Sequence, residues 1–457
     1  MHRDARNISL YKRGKFPTGL IPLVHEALTR WGKPVTYVDK RDHSKKIDVP
    51  SDEEIETCLS GITLRDYQVA GIKDLFTRSR GVVKAPTGSG KTLLAAGAIK
   101  IAVEKRQLRI LFLTHLVELL HQTAKVIEKT TGIKPDIIGD GHKTFNLSPV
   151  SVGTVQTLHR GLCGLKDKSV PKGKPIKYIV PPDPEFKRFL EGVDFLIVDE
   201  AHRGDARMFQ EVCDACRNTY YRMGLTATPL MKGDIPDAKL VGITGPLIAN
   251  ITIQDLIDRG LLAQPVVKLI RVKEPALPKR MKWQAAYTKG IVRNTYRNGL
   301  IVEETLALVK AGLQVLVLVT QLDHGDILWK QFARHCRCAY INGKDESEVR
   351  QAAIEGVKKG KIQVLISSTI LDEGVDMPSI GAVILAGGQK SPIRVYQRIG
   401  RGMRPKGDEQ NMVFVVDFLD LTQRHLAMHT LERYKLIKGE PSFKIVENFE
   451  PWLKRVA

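Results

Sequence analysis

The sequence predicts an α/β fold: two successive domains built on parallel sheets, preceded by a small basic α+β domain. Three observations carry this expectation. From Ile62 onward, short, continuously apolar, β-prone runs alternate with helical stretches, the pattern of strands covered by helices on both faces. The alternation pauses at a bridge near Leu261 to Pro265 and begins again as a second series. A chain of 457 residues also has room for two or three cores at roughly 150 residues per domain.

Taken in order, Ile8–Lys12 is β-prone, and Gly19–Trp31 sets Leu20, Leu23, Val24 and Leu28 at helical spacing. Pro34–Val38 alternates like a strand, which completes a basic N-terminal domain over residues 1–50. Between Asp42 and Gly61 the charge turns from Lys-Lys to Ser-Asp-Glu-Glu-Ile-Glu beside a proline, marking a linker. The first α/β domain, residues 62–260, carries strands at Gly81–Lys84, Arg109–Leu113, Val150–Gly153, Phe195–Val198 and Arg222–Leu225. The second, residues 261–457 with a C-terminal extension, carries them at Gln314–Val319, Cys338–Ile341, Val364–Ser367, Ala382–Leu385 and Asn411–Val416. A Lys- and Pro-rich insertion, Lys166–Pro184, reads as an exposed loop or hairpin.

Composition narrows the function. No apolar run approaches the roughly 20 residues a bilayer span needs, so a membrane protein is excluded. The basic, polar N-terminus lacks the apolar stretch of a secretory signal, which places the chain in the cytoplasm. Six cysteines make no disulfide framework in a chain this long. Cys213 and Cys216 form a CxxC pair and Cys336 and Cys338 a CxC pair, but structural zinc sites draw on closer segments, and Cys213 is expected on a helix packed against a sheet. Against 50 Asp and Glu stand 71 Lys and Arg, a formal net charge of +21, which favours a polyanionic partner over a merely solubilising surface.

The phosphate chemistry is explicit. Ala85-Pro86-Thr87-Gly88-Ser89-Gly90-Lys91-Thr92 follows a strand and opens a helical run, the context that makes a glycine-rich turn a P-loop. Glycines 88 and 90 let backbone amides turn onto phosphate oxygens at the positive end of the helix. Lys91 then reaches the β and γ phosphates of ATP, and the Thr92 hydroxyl takes Mg²⁺. Downstream, Phe195-Leu-Ile-Val delivers Asp199 and Glu200 at a strand's carboxyl end, where ligands of such sheets sit. Asp199 is the expected Mg²⁺ partner, and Glu200 the group that polarises the attacking water. Acids after a strand are also common helix caps, and it is the pairing with the P-loop that favours catalysis.

Together these motifs resemble superfamily 2 helicases. Asp199-Glu-Ala-His202 is similar to their motif II, Thr226-Ala-Thr-Pro229 to motif III, Ser368–Pro378 to motif V and Gln397–Arg404 to motif VI. Gly153–Leu158 is similar to a strand-contacting motif, and Leu64-Arg-Asp-Tyr-Gln68 to the element that reads adenine through Gln68. The resemblance spans residues 62 to about 418 and implies two RecA-like lobes. More narrowly, the basic N-terminal domain, the LRDYQ entry and the segment 315–325 resemble the UvsW-type branch-migration helicases of tailed phages.

The resemblance implies a division of labour between the lobes. Lys91, Thr92, Asp199 and Glu200 belong to the first, whereas Arg401 and Arg404 of the second neutralise developing charge once the lobes close on ATP. A basic surface helix is the bland alternative for the two arginines. Gln397 is implied to orient water, Asp376 to touch the ribose, and Thr226 and Thr228 to couple hydrolysis to movement. Thr154 and Gln156 on the first lobe and Thr320 and Thr369 on the second suit backbone phosphates, with helix capping an equal alternative.

Arg13, Lys15, the Lys40–Lys46 run and the lysines at 166, 168, 172, 174 and 177 are either duplex contacts or solvated charge. The expected activity is that of a monomeric DNA helicase or translocase on branched or duplex DNA. Its rivals are a duplex translocase without strand separation, an RNA helicase, and a clamp that binds ATP without turnover.

Overall fold

The computed structural model describes residues 14–167, 169, 178–201, 207–227, 234–368, 380–388, 399–400, 402–403 and 411–453. They form two compact units that divide between Thr252 and Ile253, with Thr87–Ser89 grouped with the second.

Ten strands are described in the first unit: β1 (Arg80–Lys84), β2 (Ile110–Thr114), β3 (Asp136–Gly139), β4 (His142–Lys143), β5 (Val150–Thr154), β6 (Leu165–Lys166), β7 (Tyr178–Val180), β8 (Phe195–Val198), β9 (Tyr221–Thr226) and β10 (Leu247–Asn250). Eight of them make one sheet in the order β10-β1-β9-β8-β2-β5-β3-β4, parallel except for the β3–β4 pair. Every residue of β2, β5 and β8 is buried, because helices cover both faces and leave no side for polar alternation. Sequence reading missed β3, β4 and β10, which are short or lie at a sheet edge and lack a long β-branched run. The hairpin expected of the basic insertion is present at its base, where β6 pairs antiparallel with β7. Lys166 is exposed there, and Lys168, Lys172, Lys174 and Lys177 lie outside the described residues.

The N-terminal expectation needs correcting. Its helix is real (Ile21–Arg30), but residues 34–42 form no strand, and Ile8–Lys12 lies outside the described residues. An isolated strand has no partner for its backbone groups, and side chains instead fasten this segment to the first unit. Gly19 packs so closely that a Cβ there would lie 1.9 Å from the Val241 carbonyl oxygen. The Arg41 guanidinium donates to Ser79 Oγ at 2.7 Å and lies 4.3 Å over the Tyr220 ring. Lys45 pairs with Asp194 at 2.6 Å, and the N–H of fully buried Ile47 donates to the Tyr221 hydroxyl at 2.7 Å. The acidic linker also holds structure: Ser51 accepts from the Glu54 N–H and starts the helix Asp52–Glu56, which buries Ile55.

Seven strands are described in the second unit: β11 (Gln264–Val272), β12 (Gln314–Leu318), β13 (Cys338–Ile341), β14 (Val364–Ser367), β15 (Ile380–Leu385), β16 (Met412–Asp420) and β17 (Lys444–Val446). They form a parallel sheet ordered β13-β14-β12-β15-β16-β11-β17. The expected bridge at Leu261–Pro265 is therefore partly wrong. Its last two residues begin β11, which pairs with β16 along all nine positions.

Beneath the carboxyl ends of β15 and β16 lies a buried ion network. Arg297 donates to Asp420 at 2.6 Å and to the Ala386 carbonyl at 2.8 Å. Arg433 donates to Asp417 at 2.9 Å and to the Phe418 carbonyl at 2.7 Å.

Two of the cysteines behave as core residues. Cys213 and Cys216 are fully buried among apolar side chains of the first unit, Cys213 on the helix Arg207–Ala215 as expected. Burial pushes the Cys213 thiol up to about 12, so it packs as a protonated small hydrophobe. No helix among the described residues is long and apolar enough to cross a membrane.

Candidate active site

Two sequence-distant motifs converge on the carboxyl edge of the first sheet. β1 hands the chain to the glycine-rich loop, whose Ala85 N–H bonds the Thr226 carbonyl of β9 at 3.0 Å. Gly88 (φ 91°) and Gly90 (φ 81°) take left-handed conformations that only glycine adopts at little cost. Lys91 opens the helix Lys91–Arg106, and its ammonium donates to the Ala85 and Pro86 carbonyls at 2.9 and 3.1 Å. The amine is thus held over the loop, and no acid occupies the first turn of the helix to neutralise its positive end. Pro86 and Ser89 are buried, while Thr87, Gly88 and Thr92 are half-exposed.

Gln68, 2% exposed, joins this loop from the helix Asp66–Arg78. Its side-chain oxygen accepts from the Arg65 N–H at 2.9 Å and its amide donates to the Gly90 carbonyl at 3.1 Å. A Cβ on Gly90 would lie 2.5 Å from that amide nitrogen, so the close approach also demands glycine.

Asp199 and Glu200 follow β8, which is separated from β1 only by β9. At about 4.8 Å per strand, the acids and the loop leave the sheet roughly 10 Å apart. The Asp199 N–H bonds the Leu113 carbonyl at 2.9 Å, and Asp199 Oδ1 accepts from the Glu200 N–H at 2.9 Å. Glu200 sits at φ 47°, a left-handed conformation costing a non-glycine residue about 1–2 kcal/mol. Strain of that kind concentrates where side-chain direction matters more than backbone comfort. Thr226 ends the intervening β9 and is fully buried.

The remaining sequence-predicted residues fall less uniformly. Thr154 is 3% exposed, and its hydroxyl donates to Thr157 Oγ1 at 2.9 Å, so it presents nothing to a strand in this arrangement. Gln156 is exposed and donates to the His115 carbonyl at 3.0 Å. In the second unit, Thr320 follows β12 with a buried hydroxyl that has no hydrogen-bond partner among the described residues. Thr228, Thr369, Asp376, Gln397, Arg401 and Arg404 lie outside the described residues, as does His202.

Two clusters escaped sequence reading. The Arg297 network joins residues up to 123 positions apart, a pairing no local pattern reveals. His159, Cys163 and Glu211 bring three candidate ligand atoms within 4.8 Å of one another, and only the His-Cys spacing of four was visible beforehand.

The chain is similar to known proteins. The family described as type III restriction enzyme, res subunit, matches residues 61–231, and the helicase conserved C-terminal domain matches residues 299–406. Helicase 22 of a Sulfolobus islandicus filamentous virus is 25% identical over 430 residues, covering 86% of this chain and 71% of its own length. The DNA 3'-5' helicase XPB of Mycobacterium tuberculosis is 25% identical over 366 residues, covering 78% of this chain and 60% of its own. The ATP-dependent DNA helicase uvsW of Enterobacteria phage T4 is 22% identical over 372 residues, covering 78% and 68%.

Among solved structures, an HsdR-subunit fragment of a type I restriction enzyme from Vibrio vulnificus aligns at TM-score 0.58 and 18% identity. It covers 87% of this chain and 72% of its own, a likeness of fold. XPB and phage relatives match together, so similarity alone does not single out the phage type.

Proposed function

The chain belongs to the superfamily 2 helicases, and on that premise we propose that it is an ATP-driven DNA motor acting on branched DNA. The observation that carries the reading is the shared carboxyl edge of one sheet, from which the Lys91 loop and the Asp199–Glu200 pair both project. A basic chain of net charge +21 adds the field that gathers a phosphate backbone.

In this reading Gln68 and the loop from Pro86 to Gly90 hold the nucleotide, and Lys91 steadies its outer phosphates. The Thr92 hydroxyl and the Asp199 carboxylate are hard oxygen donors suited to Mg²⁺, which when bound neutralises charge on those phosphates. Glu200 accepts a proton from water lined up with the terminal phosphate. Arg401 and Arg404 supply the positive charge that the transferring group needs, with Gln397 orienting the water and Asp376 the ribose. Thr226 and Thr228 pass the change to the DNA-contacting residues Gln156, Thr320 and Thr369. Thr154 contributes only if its bond to Thr157 opens. The protein works as a monomer in the cytoplasm, with the basic N-terminal segment and the β6–β7 hairpin gripping duplex arms.

Lys91→Ala should lower ATP turnover about 100-fold, the scale of one lost phosphate-stabilising donor, with DNA affinity unchanged in a filter-binding assay. Substrate class is tested by strand exchange on a four-way junction, a fork, linear duplex and RNA. Preference for the junction and fork supports the proposal, movement along duplex without strand exchange favours a translocase, and activity confined to RNA overturns the DNA assignment.

A further inference from the structure

Away from the nucleotide edge, the helix Val155–Cys163 packs against the helix Arg207–Ala215. His159 and Cys163 are four positions apart and share one face of the first helix. Glu211 meets them from the second: its Oε2 is 2.6 Å from His159 Nε2 and 3.7 Å from Cys163 Sγ. All three side chains are partly buried, and their donor atoms lie within 4.8 Å of one another. Arg207 donates to the other carboxylate oxygen, Oε1, at 2.6 Å. We propose that His159, Cys163 and Glu211 form a zinc(II) site, with solvent in the fourth position.

The donor set decides the metal. An imidazole nitrogen, a thiolate sulfur and a carboxylate oxygen match the mixed ligands of zinc, whereas Mg²⁺ and Ca²⁺ take oxygen alone. Arg207 plays the outer partner that fixes a ligating carboxylate, turning Oε2 toward the imidazole and thiol. Burial and the neighbouring Glu211 charge raise the Cys163 thiol, so that without a cation it stays protonated. Zinc displaces that proton to solvent, and His159 shifts its own proton to Nδ1 so that Nε2 can coordinate. The site then clips together two helices of the first unit. One of these carries Gln156, and the other lies downstream of Asp199 and Glu200.

Cobalt(II), a coloured stand-in for zinc, tests this on the full chain. One equivalent should produce a thiolate-to-cobalt charge-transfer band that zinc abolishes and that Cys338→Ser retains. Cys163→Ser should lose the band, and Arg207→Ala should weaken cobalt binding about 10-fold. Absence of the band in the unaltered protein, or its survival in Cys163→Ser, overturns the site. Should Cys163→Ser fail to fold, alkylation of Cys163 in the unaltered protein is followed by mass spectrometry. Protection by zinc supports the site, and identical rates with and without zinc refute it.

Discussion

Glu200→Gln should leave the protein able to bind ATP and DNA while lowering kcat by roughly 10²–10⁴-fold, the range expected when a positioned general base is removed. The exchange is nearly isosteric, so the strained backbone at φ 47° and the bond from the Glu200 N–H to Asp199 should persist. What is lost is the ability to take a proton from water. Single-turnover hydrolysis beside nucleotide binding separates the two effects: affinity should stay near that of the unaltered protein while the chemical step collapses. Unchanged single-turnover rates would take Glu200 out of the mechanism and return it to a helix-capping role.

The second large effect concerns stability. Arg297 and Asp420 are 0% and 1% exposed at 2.6 Å, so Arg297→Ala strands a buried carboxylate. Loss of one partner of such a pair costs about 3–5 kcal/mol. The effect should appear as a lower urea midpoint for the second unit, with the first unit's transition unmoved. Arg297 also satisfies the Ala386 carbonyl, which raises the cost, whereas Arg433, 3.6 Å from the same Asp420, keeps part of the carboxylate's charge compensated. Arg297→Lys should recover part of the loss, because an ammonium keeps the charge without the planar fork. An unchanged midpoint in Arg297→Ala would show that the network is not under load.

The fold was legible wherever one physical signal dominated. All ten strands expected from buried apolar runs are present, because a strand covered on both faces must be apolar along its whole length. The glycine-rich loop was equally plain, since the left-handed turns at Gly88 and Gly90 and the helix starting at Lys91 require those residue types in that order.

Legibility failed where tertiary context decides. β11 reads as a connection because its register is set by β16, some 150 residues away. Pro34–Val38 alternates like a strand but forms none, and the Arg41 and Lys45 side chains and the Ile47 N–H, bonded to the Tyr221 hydroxyl, secure the segment instead. Thr154 carries a hydroxyl suited to phosphate, yet burial and Thr157 claim it. Residue type gives the chemistry a side chain can perform, whereas packing decides whether it is presented.

The central claim is that this protein couples ATP cleavage to a nucleic-acid track. Steady-state ATP turnover of the full chain, measured without nucleic acid and then with a DNA fork, tests it most directly. Turnover should rise on adding the fork and be lost in Glu200→Gln at every DNA concentration. A chain that binds ATP and DNA but shows no turnover, or hydrolyses ATP at a rate indifferent to DNA, would contradict the account.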